Sequence, residues 1–311
     1  NSTAFGLLEN TRERYCTFND DIQGTAVVAV AGMIASLRST SSVEGGAKSL
    51  ADHTFLFSGA GEAGTGIANL IAYSIVEESG GKVSLEEARK QIWMVDSKGL
   101  ITKKRTTEEK LAHHKLDFAH ELSADATSHL VGTEFEVEDG KVRSLEQAVQ
   151  VLTPTALVGV SAVPQTFTQS VLEHVAENCP MPLVFALSNP TSKAECTAEQ
   201  AYTFTDGKAI FASGSPFAPV EYNGKTYESG QGNNAYVFPG LGLGVIACQA
   251  TIIPDEIMYT TAQALAEQVS DQDLERGSLY PRLDTIRDVS LNIAVKVAEK
   301  CYEMGIATHA P

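Results

Sequence analysis

The sequence predicts an α/β fold in which a doubly wound parallel sheet is followed by an all-helical C-terminal extension. Short apolar strands alternate with amphipathic helices between residues 54 and 212. Such alternation is typical of a parallel sheet covered by helices on both faces, and right-handed crossovers make that sheet doubly wound. After Phe238 the apolar residues recur only at helical spacing, which predicts a helical extension.

The individual elements follow from the same periodicity. Strands are predicted at 54–58, 91–96, 156–160, 183–187 and 209–212. Helices are predicted at 24–37, 62–78, 168–178 and 197–205 in the sheet region, and at 240–251, 255–269 and 285–303 in the extension. The charged segment 98–137 carries four of the seven histidines, and we interpret it as loop with short helices rather than as a metal site.

The chain divides into three parts on this basis. Residues 1–19 form a leading helix and loop, residues 20–233 form the doubly wound domain, and residues 234–311 form the C-terminal helices. Because the sequence has no initiating Met or signal peptide and opens within an amphipathic pattern, we expect it to continue upstream into a truncated domain. The C-terminal helices are expected to pack on that upstream part, which would leave apolar residues incompletely covered. These residues are Leu291, Ile293, Val295 and Val297.

The composition excludes several classes of partner. The formal net charge is −16, with 39 acidic against 23 basic side chains. Such a surface repels phosphate backbones, so nucleic acid is not an expected partner. No apolar run approaches the ~20 residues that cross a bilayer, so no membrane partner is expected either. The five scattered cysteines predict free thiols in a reducing compartment.

A glycine-rich turn lies between the first predicted strand and its helix. Residues 59–64 have the sequence GAGEAG, which matches the GxGxxG pattern of dinucleotide-binding turns. The first glycine permits the tight turn, the second lets the backbone approach a pyrophosphate, and the third lets helix and strand pack closely. In this strand–turn–helix context, the motif predicts a Rossmann-type NAD(P)-binding domain.

The second predicted strand ends in an acidic residue. Asp96 is followed by Ser97 and Lys98. An acid at this position usually accepts a hydrogen bond from the adenosine ribose of NAD, whereas a neighbouring cation can receive the 2′-phosphate of NADP. The residues alone therefore leave both cofactors open.

Two further groups of polar residues are candidates for binding chemistry. Asn19, Asp20 and Asp21 are candidates for the N-cap of the following helix, and the two carboxylates can instead offer oxygen ligands to Mg²⁺ or Mn²⁺. Asn189 follows a predicted strand, where α/β sheets bind ligands, and Asn233 and Asn234 lie in a glycine-rich loop. Asparagine also favours turns for its own backbone reasons, so neither loop is specific by itself.

Several long segments resemble malic enzymes. The similarity is carried by residues 15–24 (YCTFNDDIQG), 57–63 (FSGAGEA), 92–100 (IWMVDSKGL), 185–215 and 230–240 (GQGNNAYVFPG). It implies oxidative decarboxylation of L-malate to pyruvate and CO₂ with NADP or NAD and with Mg²⁺ or Mn²⁺. In such chemistry a divalent metal polarises the C2 oxygen and stabilises the enolate left by CO₂ loss.

The resemblance also implies roles for individual residues. Asp21 is a metal ligand, and Asp20 is similar to the aspartate that contacts the catalytic lysine of the family. The residues implied around the cofactor are Gly59, Ala60, Gly61, Glu62, Ala63, Asp96, Ser97, Lys98, Lys115 and Asn189. Asn189, Asn233 and Asn234 are implied around malate.

The resemblance leaves part of the active site outside this chain. The general-acid tyrosine, the general-base lysine, two further metal ligands and the malate-binding arginine of the family fall upstream of residue 1. We therefore expect a cytoplasmic, homo-oligomeric (dimeric or tetrameric) NADP-dependent parent enzyme, of which this chain is the dinucleotide-binding portion. Two alternatives stay open: a catalytically silent cofactor-binding fragment, and an amino-acid or 2-hydroxyacid dehydrogenase that needs no metal.

Overall fold

The computed structural model of the protein describes residues 4–310, so positions 1–3 and 311 of the predicted outer segments lie outside the described residues. The strands are β1 (Phe55–Ser58), β2 (Ile92–Asp96), β3 (Gly99–Leu100), β4 (Ala156–Gly159), β5 (Leu183–Ala186), β6 (Ile210–Ser213), β7 (Val220–Tyr222), β8 (Lys225–Tyr227) and β9 (Gly230–Gln231). The α-helices are α1 (Ala4–Thr11), α2 (Thr25–Thr40), α3 (Glu62–Glu78), α4 (Leu85–Arg89), α5 (Lys103–Glu108), α6 (Leu145–Leu152), α7 (Gln169–Asn178), α8 (Ala198–Phe204), α9 (Phe238–Cys248), α10 (Asp255–Ala266), α11 (Asp271–Glu275) and α12 (Ile286–Glu303).

The central sheet has seven strands in the order β3-β2-β1-β4-β5-β6-β9. Strand β3 is antiparallel to β2, and the other neighbouring pairs are parallel. The chain runs outward from β1 to β2 and β3, then returns to the other side of β1 with β4. This reversal confirms the doubly wound prediction, and it creates the crevice at which open α/β sheets bind ligands.

The five predicted strands are present, each within one residue of its predicted bounds. The short strands β3 and β9 and the β7–β8 hairpin were not predicted, because two or three residues are too few to show a periodicity. Helix α6 was also missed, although Ser144 and Gln147 form a capping box at its start. That pattern of Ser followed three residues later by Gln is a recognised helix-start signal.

Two hydrophobic cores lie on the opposite faces of the sheet. Side chains alternate between them along β1: Phe55 and Phe57 enter one core, and Leu56 enters the other. Helices α2 and α3 cover the first face, and α6, α7 and α8 cover the second. All five cysteines are free thiols, as predicted, and four of them are buried.

The C-terminal helices share the first core rather than forming one of their own. Leu241 of α9, Ile257 of α10 and Ile293 of α12 are buried in the same cluster as the sheet residues. Glycines let α9 and α12 approach closely: a Cβ added to Gly240 would lie 2.7 Å from the Ser290 carbonyl oxygen. The predicted boundary between residues 233 and 234 therefore separates two segments of the sequence whose side chains share one hydrophobic core. It stays a prediction.

The four apolar positions for which we expected incomplete cover in α12 do not behave alike. Ile293 and Val297 are buried, whereas Leu291 is 55% exposed and Val295 is 49% exposed. Among the described residues, then, α12 buries one side against α9 and α10 and presents two apolar side chains to solvent.

One helical segment is long and apolar enough to cross a membrane by length and composition alone. It spans Asp20–Thr40, which is 21 residues, whereas the sequence predicted a helix only at 24–37. In its most apolar stretch of 18 residues, 72% is buried inside the protein. Helix α2 packs between α3 and α10. Burial of this kind is typical of the core helix of a folded α/β protein.

Candidate functional site

The glycine-rich turn after β1 has the geometry that the sequence motif predicts. Gly59 adopts a φ of +110°, and a Cβ at this position would lie 2.8 Å from the backbone nitrogen of Ser161. A Cβ on Gly64 would lie 3.0 Å from the Gly59 carbonyl oxygen, whereas a Cβ on Gly61 would meet nothing within 4 Å. The first and third glycines are therefore needed for packing, and the second faces open space where a ligand can approach.

Helix α3 begins at Glu62, directly after this turn, and its first turn has no side-chain cap. The amide N–H groups at the start of a 17-residue helix carry partial positive charge and lack intrahelical acceptors. Such a helix end binds phosphate groups. The turn and the helix together fit the pyrophosphate of a dinucleotide.

A cleft of about 730 Å³ opens beside the turn. Its lining brings together the ends of β1, β2 and β4 with residues from the charged segment 98–137. From the predicted cofactor set the lining includes Gly59, Ala60, Gly61, Glu62, Asp96, Ser97 and Lys115. It also includes residues that the sequence did not single out: His114, Arg143, Ser161, Val163, Gln165 and Thr166.

The Asp96 carboxylate at one end of the cleft is held by two cations. Arg105 Nη1 donates to Asp96 Oδ1 at 3.0 Å, and Lys115 Nζ donates to Asp96 Oδ2 at 2.8 Å. Burial alone would raise the pKa of Asp96, but the hydrogen bonds from Arg105 and Lys115 outweigh it and lower the pKa. Asp96 is therefore an ionised group whose charge is neutralised from two sides.

Arg105 is a residue of this network that the sequence prediction missed. Its side chain is only 11% exposed, and besides Asp96 it binds Glu109 and the carbonyl oxygens of Gly99 and Leu100. A short sequence window does not reveal this role, because the β2–β3 turn and the short helix capped by Thr102 are what bring Arg105 beside Asp96.

Lys98 lies outside the cleft lining. Its ammonium group pairs with Glu109, and its side chain is 68% exposed. It lines a neighbouring depression with Arg105 and Lys141. Between the two lysines named by the sequence, the structure thus brings Lys115 into contact with Asp96 and directs Lys98 elsewhere.

A second group of polar side chains lies at the start of the segment that leads into α2. Asn234 Nδ2 donates to Asp20 Oδ2 at 3.1 Å and to the Asp20 carbonyl oxygen at 3.0 Å. Asp20 Oδ1 is buried and has no hydrogen-bond partner among the described residues. A buried, unpaired carboxylate oxygen is costly, so this atom fits a cationic partner such as a lysine.

The helix cap is supplied by Asn19 and not by the carboxylates. Asn19 Oδ1 accepts a hydrogen bond from the backbone N–H of Ile22 at 3.0 Å. Asp21 is exposed. Because Asn19 performs the capping, the carboxylate of Asp21 is available for another role.

The described residues do not complete a metal site. Within residues 4–310, no group of three or more His, Cys, Asp or Glu side chains could hold a metal ion. Asp21 offers one exposed carboxylate, and the adjacent Asp20 is engaged by Asn234. Mg²⁺ requires about six oxygen ligands in octahedral geometry, so these residues fit only as part of such a site.

Three of the predicted residues remain: Asn189, Asn233 and Ala63. Asn189 and Asn233 are exposed, and Asn233 Oδ1 accepts a hydrogen bond from the backbone N–H of Ala235 at 2.9 Å. Ala63 is half-buried in α3. None of these three is part of the lining of the 730 Å³ cleft as described.

Comparisons with known proteins are consistent with this geometry. The family model described as "Malic enzyme, NAD binding domain" matches residues 22–302. The chain is 51% identical to the NADP-dependent malic enzyme of Anas platyrhynchos, covering 100% of this chain and 51% of that protein. It is 50% identical to NADP-dependent malic enzyme 2 of Arabidopsis thaliana, covering 100% of this chain and 48% of that one. The chain therefore spans about half the length of these relatives.

Solved structures share the fold. The malic enzyme of Entamoeba histolytica superposes with a TM-score of 0.70 at 21% identity, over 97% of this chain and 53% of that one. The malic enzyme of Pyrococcus horikoshii superposes with a TM-score of 0.68 at 22% identity, over 99% and 60%. With the family model covering most of its length, this chain belongs to the malic enzyme NAD-binding domain family.

Proposed function

We propose that this chain is the dinucleotide-binding portion of an NADP-dependent malic enzyme, which converts L-malate to pyruvate and CO₂ with reduction of NADP. The observation that carries the proposal is the cleft beside the Gly59 turn, with Asp96 and Lys115 at its far end. Relatives about 50% identical over the whole chain are named as NADP-dependent malic enzymes. Membership of the malic enzyme family argues against the alternative, an amino-acid or 2-hydroxyacid dehydrogenase that needs no metal.

Cofactor preference follows from the charges around Asp96. A free carboxylate there repels a 2′-phosphate, because two anions in contact are unfavourable. Here Arg105 and Lys115 neutralise that carboxylate, and Lys115 also lines the cleft. Lys115 therefore supplies a donor for the 2′-phosphate, and Arg105 keeps the charge of the neighbouring Asp96 carboxylate neutralised. This arrangement favours NADP over NAD.

The polar group around Asp20 and Asn234 is the proposed substrate end of the site. A dinucleotide held at the Gly59 to Glu62 turn would supply the acceptor for the hydride that malate loses. The Asp20 side chain is held by Asn234 and has one unpaired oxygen. That oxygen would orient the general-base lysine, which the family resemblance places upstream of residue 1. Asp21 contributes one carboxylate toward Mg²⁺ or Mn²⁺, while Asn189 and Asn233 orient the malate carboxylates through uncharged amides.

Two measurements test the proposal. The chain should bind NADP⁺ more tightly than NAD⁺ by calorimetric titration. The full-length protein should form NADPH from malate in the presence of Mn²⁺ and release CO₂. A full-length protein that prefers NAD⁺, or that oxidises malate without releasing CO₂, would contradict the proposal.

The chain alone is proposed to be catalytically silent. The acid tyrosine and the base lysine of the family fall upstream of residue 1, and proton transfer by such positioned groups contributes about 10²–10⁴-fold to the rate. Within the described residues, moreover, no cluster of three or more His, Cys, Asp or Glu side chains could hold a divalent metal. Malate-dependent NADPH formation by this chain within about tenfold of an intact malic enzyme would contradict this proposal and reveal a catalytic set within it.

Cellular location and assembly are extensions of the same proposal. We propose a cytoplasmic parent that forms a homodimer or homotetramer. A chloroplast location is the alternative, because one relative is the chloroplastic NADP-dependent malic enzyme of Flaveria pringlei. In this chain the exposed apolar side chains of α12, Leu291 and Val295, would favour self-association, because exposed apolar groups favour burial against a partner; the upstream part of the parent is expected to cover them. Size-exclusion chromatography with light scattering on the full-length protein tests the proposed assembly.

A further inference from the structure

A buried carboxylate in the loop after β5 reaches the loop that follows β4. Glu195 is 0% exposed. Its Oε1 accepts hydrogen bonds from the Ser188 hydroxyl at 2.5 Å and from the Ser161 backbone N–H at 3.3 Å, and its Oε2 accepts from the Ser188 backbone N–H at 3.3 Å. One side chain therefore receives three donors from two different loops.

The end of β4 is shaped to admit this side chain. A Cβ on Gly159 would lie 2.4 Å from Glu195 Cδ, so only a glycine leaves room for the carboxylate beneath the sheet edge. The Glu195 backbone is fixed as well, because its carbonyl oxygen accepts a hydrogen bond from Phe167 at 3.0 Å. Glu195 is thus built into the structure at both ends.

Ser188 extends the link in the other direction. Its hydroxyl oxygen accepts a hydrogen bond from the Ala162 backbone N–H at 2.9 Å while donating to Glu195. Ala162 adopts a φ of +56°, a backbone conformation that L-residues rarely adopt and that neighbouring contacts must hold in place. Hydrogen bonds from two sides of the β4 loop are therefore anchored on the Ser188–Glu195 pair.

The two loops lie on the side of the sheet that faces the second half of a dinucleotide. The strand order reverses between β1 and β4, so the adenosine half of a bound dinucleotide lies toward β2 and the nicotinamide half lies toward β4 and β5. The loop after β4 supplies Ser161 and Val163 to the cleft, and the loop after β5 carries Asn189 directly after Ser188.

We propose that Glu195 is a positioning residue, which fixes the loop at 160–166 relative to the Asn189 loop and thereby shapes the nicotinamide half of the cleft. The inference rests on the proposed NADP-binding function. Burial raises the pKa of Glu195 although the Ser188 and Ser161 donors oppose this shift. The three donors therefore offset part of the cost of burying this side chain.

The test compares a whole dinucleotide with its adenosine half. In this chain, Glu195→Gln keeps the side-chain volume but turns one acceptor oxygen into a donor, which cannot accept from a backbone N–H. We expect its Kd for NADP⁺ to rise about tenfold, the effect of losing roughly one hydrogen bond to a charged group. The Kd for adenosine 2′,5′-bisphosphate, which occupies the Asp96 and Lys115 end, should change less than about twofold.

Two further variants keep the inference falsifiable. Ser188→Ala removes only the hydroxyl that joins Glu195 to Ala162, and it replaces Glu195→Gln in the test if that variant does not fold. It should also weaken NADP⁺ more than adenosine 2′,5′-bisphosphate, but by less than the roughly tenfold expected for Glu195→Gln. Ile293→Ala, in α12, should lower the melting temperature while leaving the ratio of the two Kd values unchanged.

Each outcome bears on one of the two proposals. Equal weakening of both ligands by Glu195→Gln, or no weakening of NADP⁺, would mean that Glu195 only supports the fold, and the inference would be overturned. A folded wild-type chain that binds neither ligand would overturn the proposed function itself, and the inference with it.

Discussion

Lys115 is the side chain on which the proposed NADP preference most directly depends. Its ammonium group lies 2.8 Å from Asp96 Oδ2 and its side chain is 20% exposed, at the edge of the cleft. The perturbation is Lys115→Gln, which removes the charge and keeps a side chain of similar reach. Asp96 then retains Arg105, at 3.0 Å, as its one remaining cation in the network.

The magnitude follows from the contact that is lost. A charge-assisted hydrogen bond contributes about 1.5–3 kcal/mol, and about 1.4 kcal/mol corresponds to a tenfold change in affinity. The Kd for NADP⁺ should therefore rise about 10- to 150-fold. NAD⁺ carries a 2′-hydroxyl instead of the phosphate. Its Kd should change less than about threefold, because NAD⁺ lacks the phosphate that the Lys115 ammonium group would contact.

Calorimetric titration of this chain with both cofactors measures the ratio of the two affinities. Lys110→Gln is the matched control: it makes the same chemical change at an exposed lysine of the same segment, and it should leave both affinities unchanged. An NADP⁺ to NAD⁺ ratio that is the same in wild type and Lys115→Gln would refute the assignment. So would an effect of Lys110→Gln as large as that of Lys115→Gln.

Three other predictions test separate parts of the structure. In the full-length enzyme, Asp21→Asn should weaken Mn²⁺ binding and remove most activity without lowering the melting temperature, because Asn19 provides the cap; unchanged Mn²⁺ titration with a lower melting temperature would identify Asp21 as structural. Gly59→Ala places a Cβ 2.8 Å from the Ser161 nitrogen at a φ of +110°, so it should cost about 1–3 kcal/mol in urea unfolding and abolish NADP⁺ binding; retention of both would show that the turn can adapt. Burial lowers the pKa of His53 from 6.5 to about 4, so the unfolded chain gains a proton below pH 6.5 that the folded chain does not, and stability falls as the pH drops. His53→Gln should remove about 2 kcal/mol of the stability lost between pH 7 and 5, and an unchanged pH dependence in urea unfolding would contradict this.

The features that the sequence predicted are those that depend on local patterns. The five main strands alternate or run apolar over four or five residues, and the Gly59 turn lies between a strand and a helix. Each feature can be recognised from a short window, because strand periodicity and turn stereochemistry act between near neighbours. This explains why the strand bounds differ by no more than one residue from those predicted.

The features that the sequence did not predict depend on which strands become neighbours. Arg105 follows Asp96 by nine residues, and only the β2–β3 turn brings it back to that carboxylate. Glu195 resembles an ordinary solvent-exposed acid in sequence, and its burial requires that β4 and β5 pair and that Gly159 leave space. Buried charged groups need partners supplied by tertiary structure, so their sites are not visible in a short window.

The choice of helix cap shows the same limit on a smaller scale. Asn19, Asp20 and Asp21 are all good capping residues by type, and composition cannot rank them. The structure assigns the cap to Asn19 and turns Asp20 toward Asn234, more than two hundred residues later in the chain. That distant contact fixes the position of the Asp20 side chain.

The overall charge and the local charge act on cofactor binding in opposite directions. The chain carries a net charge of −16, which repels an anionic dinucleotide at long range. At physiological ionic strength, interactions between exposed charges are largely screened beyond about 8 Å, whereas Lys115 and Arg143 line the cleft itself. Added salt should therefore speed association by screening the repulsion and also weaken the bound state by screening these contacts. Because the acidic side chains Glu62, Asp96 and Glu146 share the same lining, the cleft has no surplus of cations, and the loss of Lys115 cannot be compensated by its neighbours.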